Sequence, residues 1–384
     1  MAIKHARLIY GATYFSESIN TDLLWMVKMS LPDPHVFLEF EHEDGQWERI
    51  LLTNPLEFTR VQKQARGCTI INAEPYFKRL GGRKISLVVK ALLGEQGLDA
   101  VTVHPLTPFE FVESLRNTGI TVGVGKRPWY EGRTAKTEEE IGCILEVQGH
   151  MENVLRLVED RLRRATISEG VVMENGKPLT SEELRSFVEL ELYRHGCVSL
   201  DTIISSGADA AIPHELGSGP IRANTAIVCD IFPYSRKTSY FSDMTRTFCK
   251  GEPSYLFIKM YNAVLRVQEM CIKMIRSGVD GKNIQAIAEM EFVKDGFETN
   301  SEDGYGFTHG IGHGLGLLCH EPPAGIQKDY PFVLTKGVVT SVEPGLYYPN
   351  EGLGVRIEDL VAVTKEGCRN LTQYPKQLAD IIIP

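Results

Sequence analysis

Two strand-like runs, residues 225–231 and 240–249, each carry an aspartate, Asp230 and Asp243, and they flank the polar turn Ser235-Arg236-Lys237-Thr238. The pair reads as a β-hairpin. With the turn centred between Arg236 and Lys237, the aspartates are symmetric about it and fall opposite one another, their Cβ atoms about 5 Å apart on one face. Like charges at about 4 Å and an effective dielectric of about 20 repel by on the order of 4 kcal/mol. A chain that folds this way needs positive charge between the two carboxylates. Its own Arg246 and Lys237 are one source and a bound cation is another, unless one aspartate faces solvent instead.

Further along, FTHGIGHGLGLLCHEPP brings His309, His313 and His320 into one glycine-rich stretch. Glycine lets the backbone crowd a site or adopt positive φ, and histidine brings a nitrogen ligand or a group that titrates near neutrality. The stretch contains no GxxxxGK[ST] phosphate loop, and Glu321-Pro322-Pro323 does not begin the helix that a GxGxxG loop needs. HExxH is missing as well, which disfavours a thermolysin-like zinc site. Two glutamates complete the set. Glu343 ends an apolar run just before Pro344-Gly345, where a side chain is aimed at a cleft. In GVRIEDLVAVT, period-two alternation puts Arg356, Glu358 and Leu360 on one face, so Glu358 needs a partner, either Arg356 or something bound.

The 384 residues exceed what one core usually organises, so two domains are expected. Residues 1–132 alternate strand-like runs, VFLEF at 36–40 and ISLVV at 85–89, with helix-like stretches such as 109–116, which suggests an α/β layer. The glycine- and proline-bearing segment 123–133 is the linker candidate. Residues 133–384 read as an α+β domain. Thr137 with Glu140 and Thr180 with Glu183 have capping-box spacing and open two helices, the second ending at Gly196; two more helices cover about 254–277 and 283–295. Strand-like runs at 198–205, 338–343 and 354–364 join the two that bear the aspartates.

A net charge of −9 and the lack of a basic stripe argue against a nucleic-acid partner. No run reaches the roughly eighteen apolar residues of a membrane span, and MAIKHARLIYGATYFSES lacks an uninterrupted apolar core of the signal-peptide type. The eight cysteines form no CxxC pair and no compact framework, so buried reduced thiols and a cytoplasmic location are expected.

Together, SGADAAIPH, SDMTRT, HGIGHGLGLLCHE, SVEPGLYY and GVRIEDLVAVT resemble, in order, the catalytic domain of the pita-bread metallopeptidase family, which includes methionine aminopeptidase, aminopeptidase P and prolidase. The resemblance covers most of residues 133–384. It implies that Asp230 chelates one divalent metal ion, that His313 and Glu343 bind a second, and that Asp243 and Glu358 bridge both. Four carboxylates and an imidazole suit manganese first, with cobalt, zinc and iron behind it. The resemblance further implies Glu343 as general base toward a bridging water, His320 or His214 as hydrogen-bond donor to the oxyanion, and His309 and Arg356 as groups that orient substrate or carboxylates.

The first 132 residues are similar, more weakly, to the creatinase-type N-terminal domain of aminopeptidase P and prolidase, which methionine aminopeptidases lack. That implies an aminopeptidase P-like homodimer acting on peptides with proline at the second position. A prolidase, a metal-free creatinase-like hydrolase and a non-catalytic binding protein of the same fold are the alternatives. The chain departs from the family pattern at Ile231-Phe232-Pro233, and its two aspartates stand two residues further apart than usual, so the longer hairpin is expected to reshape one wall of the cleft.

Overall fold

The computed structural model describes residues 3–14 and 18–384; residues 1–2 and 15–17 of the N-terminal segment considered above lie outside the described residues. The chain divides into two compact units, Met1–Arg133 and Thr134–Pro384.

The first unit is a six-stranded mixed sheet. Ile3–Gly11, His35–His42 and Trp47–Thr53 pair antiparallel in succession; Thr69–Asn72 adds parallel at one flank, and Ala100–Val103 then Thr121–Val124 add parallel at the other. Side-chain alternation along the strands buries both faces. Leu8 and Leu38 enter one core with Val88 and Leu92, while Ile9 and Phe37 enter another with Leu23 and Val61. The expected strand at 85–89 is instead the start of a helix, Ile85–Glu95. A short apolar run does not by itself distinguish strand from helix. Here the buried positions Val88, Val89, Leu92 and Leu93 recur at helical spacing and decide it.

In the second unit the capping boxes are present as hydrogen bonds: Thr137 and Glu140 start the helix Glu138–Arg164, and Thr180 and Glu183 start Ser181–Arg194. The first of these buries Ile141, Ile144, Val147, Met151, Val154, Leu155, Val158 and Leu162 along one stripe. The second stops ahead of Gly196, whose φ of +73° is left-handed. Helices Tyr255–Met274 and Gly281–Lys294 pack on the same core as the strands. One sheet runs Ile203–Ser206, Ala226–Ile231, Met244–Lys250, Ile382–Ile383; another runs Val339–Val342, Asp359–Val363, Cys368–Asn370. Gly345–Tyr348 and Leu353–Arg356 form a separate ribbon.

Two expected strands are broken. Residues 198–205 split into Cys197–Val198 and Ile203–Ser206, with Asp201 between them at a φ of +58°, where extended backbone cannot continue. Residues 354–364 split into Leu353–Arg356 and Asp359–Val363, because the first half pairs with Gly345–Tyr348 and the second with Val339–Val342. Glu358 sits at this change of partner, its N–H bonded to the Thr245 carbonyl.

The hairpin also differs from expectation. Asp230 faces Thr245, not Asp243, so the register is centred between Lys237 and Thr238. The paired ladder ends at Ile231 and Met244. Pro233 has no N–H to continue it, and the connection leaves the hairpin so that Tyr234–Ser235 can pair with Cys197–Val198.

Among the described residues, all eight cysteines are free; Cys197, Cys229, Cys249 and Cys271 are buried and the other four are half-buried. No helix among them is long and apolar enough to cross a membrane.

Candidate metal centre

A cleft of about 1320 Å³ in the second unit is lined by all nine side chains singled out above: Asp230, Asp243, His214, His309, His313, His320, Glu343, Arg356 and Glu358. They come from separate elements. Asp230 lies near the end of Ala226–Ile231, Asp243 just before Met244–Lys250, and His313 on the short strand Gly312–His313. Glu343 follows Val339–Val342, and Glu358 precedes Asp359–Val363.

The glycines of the histidine stretch act by bulk rather than by positive φ. A Cβ on Gly312 would lie 2.0 Å from the Ser341 carbonyl oxygen, and one on Gly314 would lie 2.4 Å from that of Glu321. Only glycine lets the histidine strand approach its neighbours so closely. His313 is thereby held with its Nε2 3.1 Å from Glu343 Oε1 and 3.6 Å from Asp243 Oδ2, while its Nδ1 faces the Gly314 carbonyl at 3.2 Å. An imidazole that donates from one nitrogen to a backbone carbonyl presents the other as a ligand.

The carboxylates are crowded and under-compensated. Asp243 and Glu358 are 3% and 1% exposed. Oδ1 of Asp230, Oδ1 of Asp243 and Oε1 of Glu358 have no hydrogen-bond partner. One ligand atom each from Asp243, His313 and Glu358 lies within 4.8 Å of the others. Burial, then the neighbouring carboxylates, push both Asp243 and Glu358 well above the usual carboxylate range. Burial also opposes charge on Glu343 and His313, but their mutual hydrogen bond and attraction outweigh it. Glu343 falls to about 2 and His313 rises to about 9. All four shifts favour positive charge, or protons in its place, among these carboxylates.

The internal counter-charges expected from the sequence are elsewhere. Arg246 donates to Asp359 and to backbone carbonyls, including that of Glu358, and Lys237 is exposed. Arg356 does not pair with Glu358. Its Nη2 donates to Asp230 Oδ2 at 2.6 Å and its Nη1 to the Tyr347 hydroxyl at 2.8 Å. Glu358 Oε2 instead accepts from Thr245 at 2.9 Å, and Glu343 Oε1 from Ser341 at 3.0 Å.

His309 ends the Asp230–Arg356–Tyr347 chain. Its Nδ1 lies 2.8 Å from the Gly310 carbonyl and its Nε2 2.9 Å from the Tyr347 hydroxyl. A carbonyl can only accept, so Nδ1 carries the proton and Nε2 accepts from Tyr347. Burial lowers the pKa of His309, which favours the neutral ring. His320 and His214 are exposed on the cleft wall, the His320 ring 4.0 Å from that of His313.

Tyr347 and Cys319 were given no role from the sequence. Cys319 Sγ lies 3.1 Å from Asp243 Oδ2. Both residues fall inside motifs already quoted, but nothing in the local pattern says that a tyrosine or a cysteine there faces the carboxylates.

The donor chemistry fits divalent cations: orphaned carboxylate oxygens converge with an oriented imidazole, and the one guanidinium present is spent on a single oxygen of Asp230. Comparison with known proteins agrees. The profile of Metallopeptidase family M24 matches residues 149–365. An Xaa-Pro dipeptidase of Pyrococcus horikoshii is 31% identical over 303 residues, 77% of this chain and 78% of that protein. An uncharacterised peptidase of Bacillus subtilis is 32% identical over 64% of each chain, so the match spans somewhat under two thirds of that relative. Among solved structures, an Xaa-Pro dipeptidase from Bacillus anthracis superposes with a TM-score of 0.82 at 25% identity, covering 99% of this chain and 95% of that one. A His350Ala variant of Escherichia coli aminopeptidase P superposes at 0.78 and 21% identity over 99% and 94%, a likeness of fold.

Proposed function

Because this chain belongs to metallopeptidase family M24 and has a creatinase-like α/β unit ahead of a pita-bread catalytic unit, we propose that it hydrolyses the Xaa-Pro bond at the N-terminus of peptides, as an aminopeptidase P does. The observation that carries this reading is the convergence of Asp230, Asp243, His313, Glu343 and Glu358 on one cleft, with three carboxylate oxygens left without donors.

Asp230 would hold one ion, His313 and Glu343 the other, and Asp243 and Glu358 both. Manganese leads, because oxygen donors dominate the set. Bound there, divalent cations supply Lewis acidity toward a carbonyl and ease the ionisation of water. Ser341 fixes one oxygen of Glu343, leaving the carboxylate turned to the cleft as general base and proton shuttle. His320 and His214, exposed on the wall, would donate to a developing oxyanion. Arg356 orients Asp230, and Tyr347 with His309 orients Arg356.

The preference for longer peptides has support of its own. A dipeptide ends in a carboxylate directly after proline, which calls for a cation; a longer peptide presents a neutral amide there. Arg356 is the only lysine or arginine among the described cleft residues, and it is committed to Asp230 and Tyr347, while Asp201 and Asp329 line the same cleft. The 31% identity to an Xaa-Pro dipeptidase favours the second reading, a prolidase. Steady-state assays of Arg-Pro-Pro against Gly-Pro, on metal-free protein titrated separately with manganese, cobalt and zinc, decide between them. A large preference for Gly-Pro reverses the assignment, and no hydrolysis of either with any ion rejects the Xaa-Pro reading. The family resemblance also implies a homodimer, which light scattering on the purified chain tests.

A further inference from the structure

Cys319 lies in the cluster, yet the peptidase reading gives it no task. Its thiol donates to Asp243 Oδ2 at 3.1 Å. Its sulfur and one ring nitrogen each from His313 and His320 all lie within 4.8 Å of one another. The two imidazole rings are 4.0 Å apart and inclined by 43°, and all three side chains line the cleft. A second observation points to a cation at this spot: Oδ1 of Asp243, a residue 3% exposed and lining the same cleft, has no donor.

The two donor sets differ in softness. Carboxylates suit manganese and magnesium, whereas a thiolate with imidazoles selects zinc and its heavier relatives. We propose that His313, Cys319 and His320 form a second, thiophilic metal site that overlaps the carboxylate site at His313 and captures a zinc-class cation through the Cys319 thiolate. His313 cannot serve both sets fully, so a zinc-class ion and the ions of the carboxylate set compete for one imidazole. Manganese leaves the sulfur uncoordinated. Burial and the Asp243 carboxylate beside it raise the pKa of the Cys319 thiol, so the thiolate forms only as zinc binds and displaces its proton to solvent.

The inference rests on the proposed metal centre through His313 and the adjoining Asp243, and takes up His320 as well, and its test separates the two. Zinc-loaded full-length protein is examined by X-ray absorption; a zinc–sulfur path at about 2.3 Å is expected. Cobalt-loaded protein is expected to show a thiolate-to-metal charge-transfer band that Cys319→Val loses while ligand-field absorption remains. Zinc affinity of that variant, measured by chelator competition, is expected to fall at least about 10-fold, the lower end of the loss seen when even an outer partner of a metal ligand is removed. Manganese affinity is expected to hold. A spectrum with nitrogen and oxygen neighbours but no sulfur overturns the inference and leaves the peptidase reading standing, and so does a sulfur path that persists in Cys319→Val. Should the variant not fold, absorption on the wild-type chain still decides. A chain that binds neither zinc nor manganese overturns both.

Discussion

Glu358 and Asp359 are adjacent in sequence, equally acidic and equally buried at 1% exposure, yet their surroundings are opposite. Asp359 accepts from Arg246 at 2.8 Å, from Asn370 at 2.8 Å and from Lys376, and after the cost of burial these partners hold its pKa low. Glu358 has one bond to Thr245, an orphaned oxygen and other carboxylates as neighbours, and its pKa is driven up. A carboxylate that serves the fold is surrounded by the cations it needs. Glu358, proposed to serve a bound cation, has them withheld, and without the ion the chain bears the strain.

The sharpest break of this contrast is to neutralise each residue in turn. Glu358→Gln is expected to lower activity on an Xaa-Pro peptide by about a thousandfold, roughly 4 kcal/mol of barrier. The same change is expected to raise the melting temperature of the metal-free protein at pH 8, since it removes a repelled charge. Kinetics and calorimetry on one preparation check both halves, and lower stability of the metal-free variant would count against the strained-site account. Asp359→Asn should do the reverse. Removing one partner from a buried ion pair is expected to cost about 3 kcal/mol of stability, read from urea denaturation, because Arg246 is left buried and unpaired.

Metal loading should act on one member of the pair alone. At about 100 times the dissociation constant, manganese is expected to stabilise the wild type by roughly 2.7 kcal/mol and the Glu358→Gln variant by less. Parallel melts with and without the ion check this.

The smallest effect concerns pH. His313 binds its proton more tightly folded than unfolded, so its contribution is fully present below about 6.5 and is lost as pH rises through about 9. Asp243 and Glu358 act in the same direction: their raised pKa values make the metal-free fold lose stability as pH climbs from about 4, where unfolded carboxylates titrate, through those raised values. Asp359 and Glu343, both lowered, contribute stability above that range and lose it on acidification, Glu343 as pH falls through about 2. Metal-free protein is therefore expected to melt at progressively lower temperature from pH 6.5 to 9, and manganese-saturated protein to show a flatter profile, because the ion replaces the proton on His313.

Much of the architecture was legible locally. Thr137 with Glu140 and Thr180 with Glu183 announce helix starts because a capping box is a contact between residues three apart. The carboxylates were legible as a problem, since each strand carried an acid that needed a partner, but whether Arg246, Lys237 or Arg356 supplied it was not. Where local reading failed, a distant partner had decided. The run at 85–89 became helix through the core it packs into, and the strand at 354–364 broke because its two halves pair with different strands.

The sequence by itself determined which chemistry is present: the acids, the histidines and the glycines small enough to let strands touch, all carried by short patterns whose physics is local. Only the tertiary structure decided which charge meets which. Arg356 reaches Asp230 across 126 positions, Arg246 reaches Asp359 across 113, and Cys319 reaches Asp243 across 76. Such pairings depend on register and on where a strand changes partners, quantities set by the packing of the whole unit and not written in any one segment.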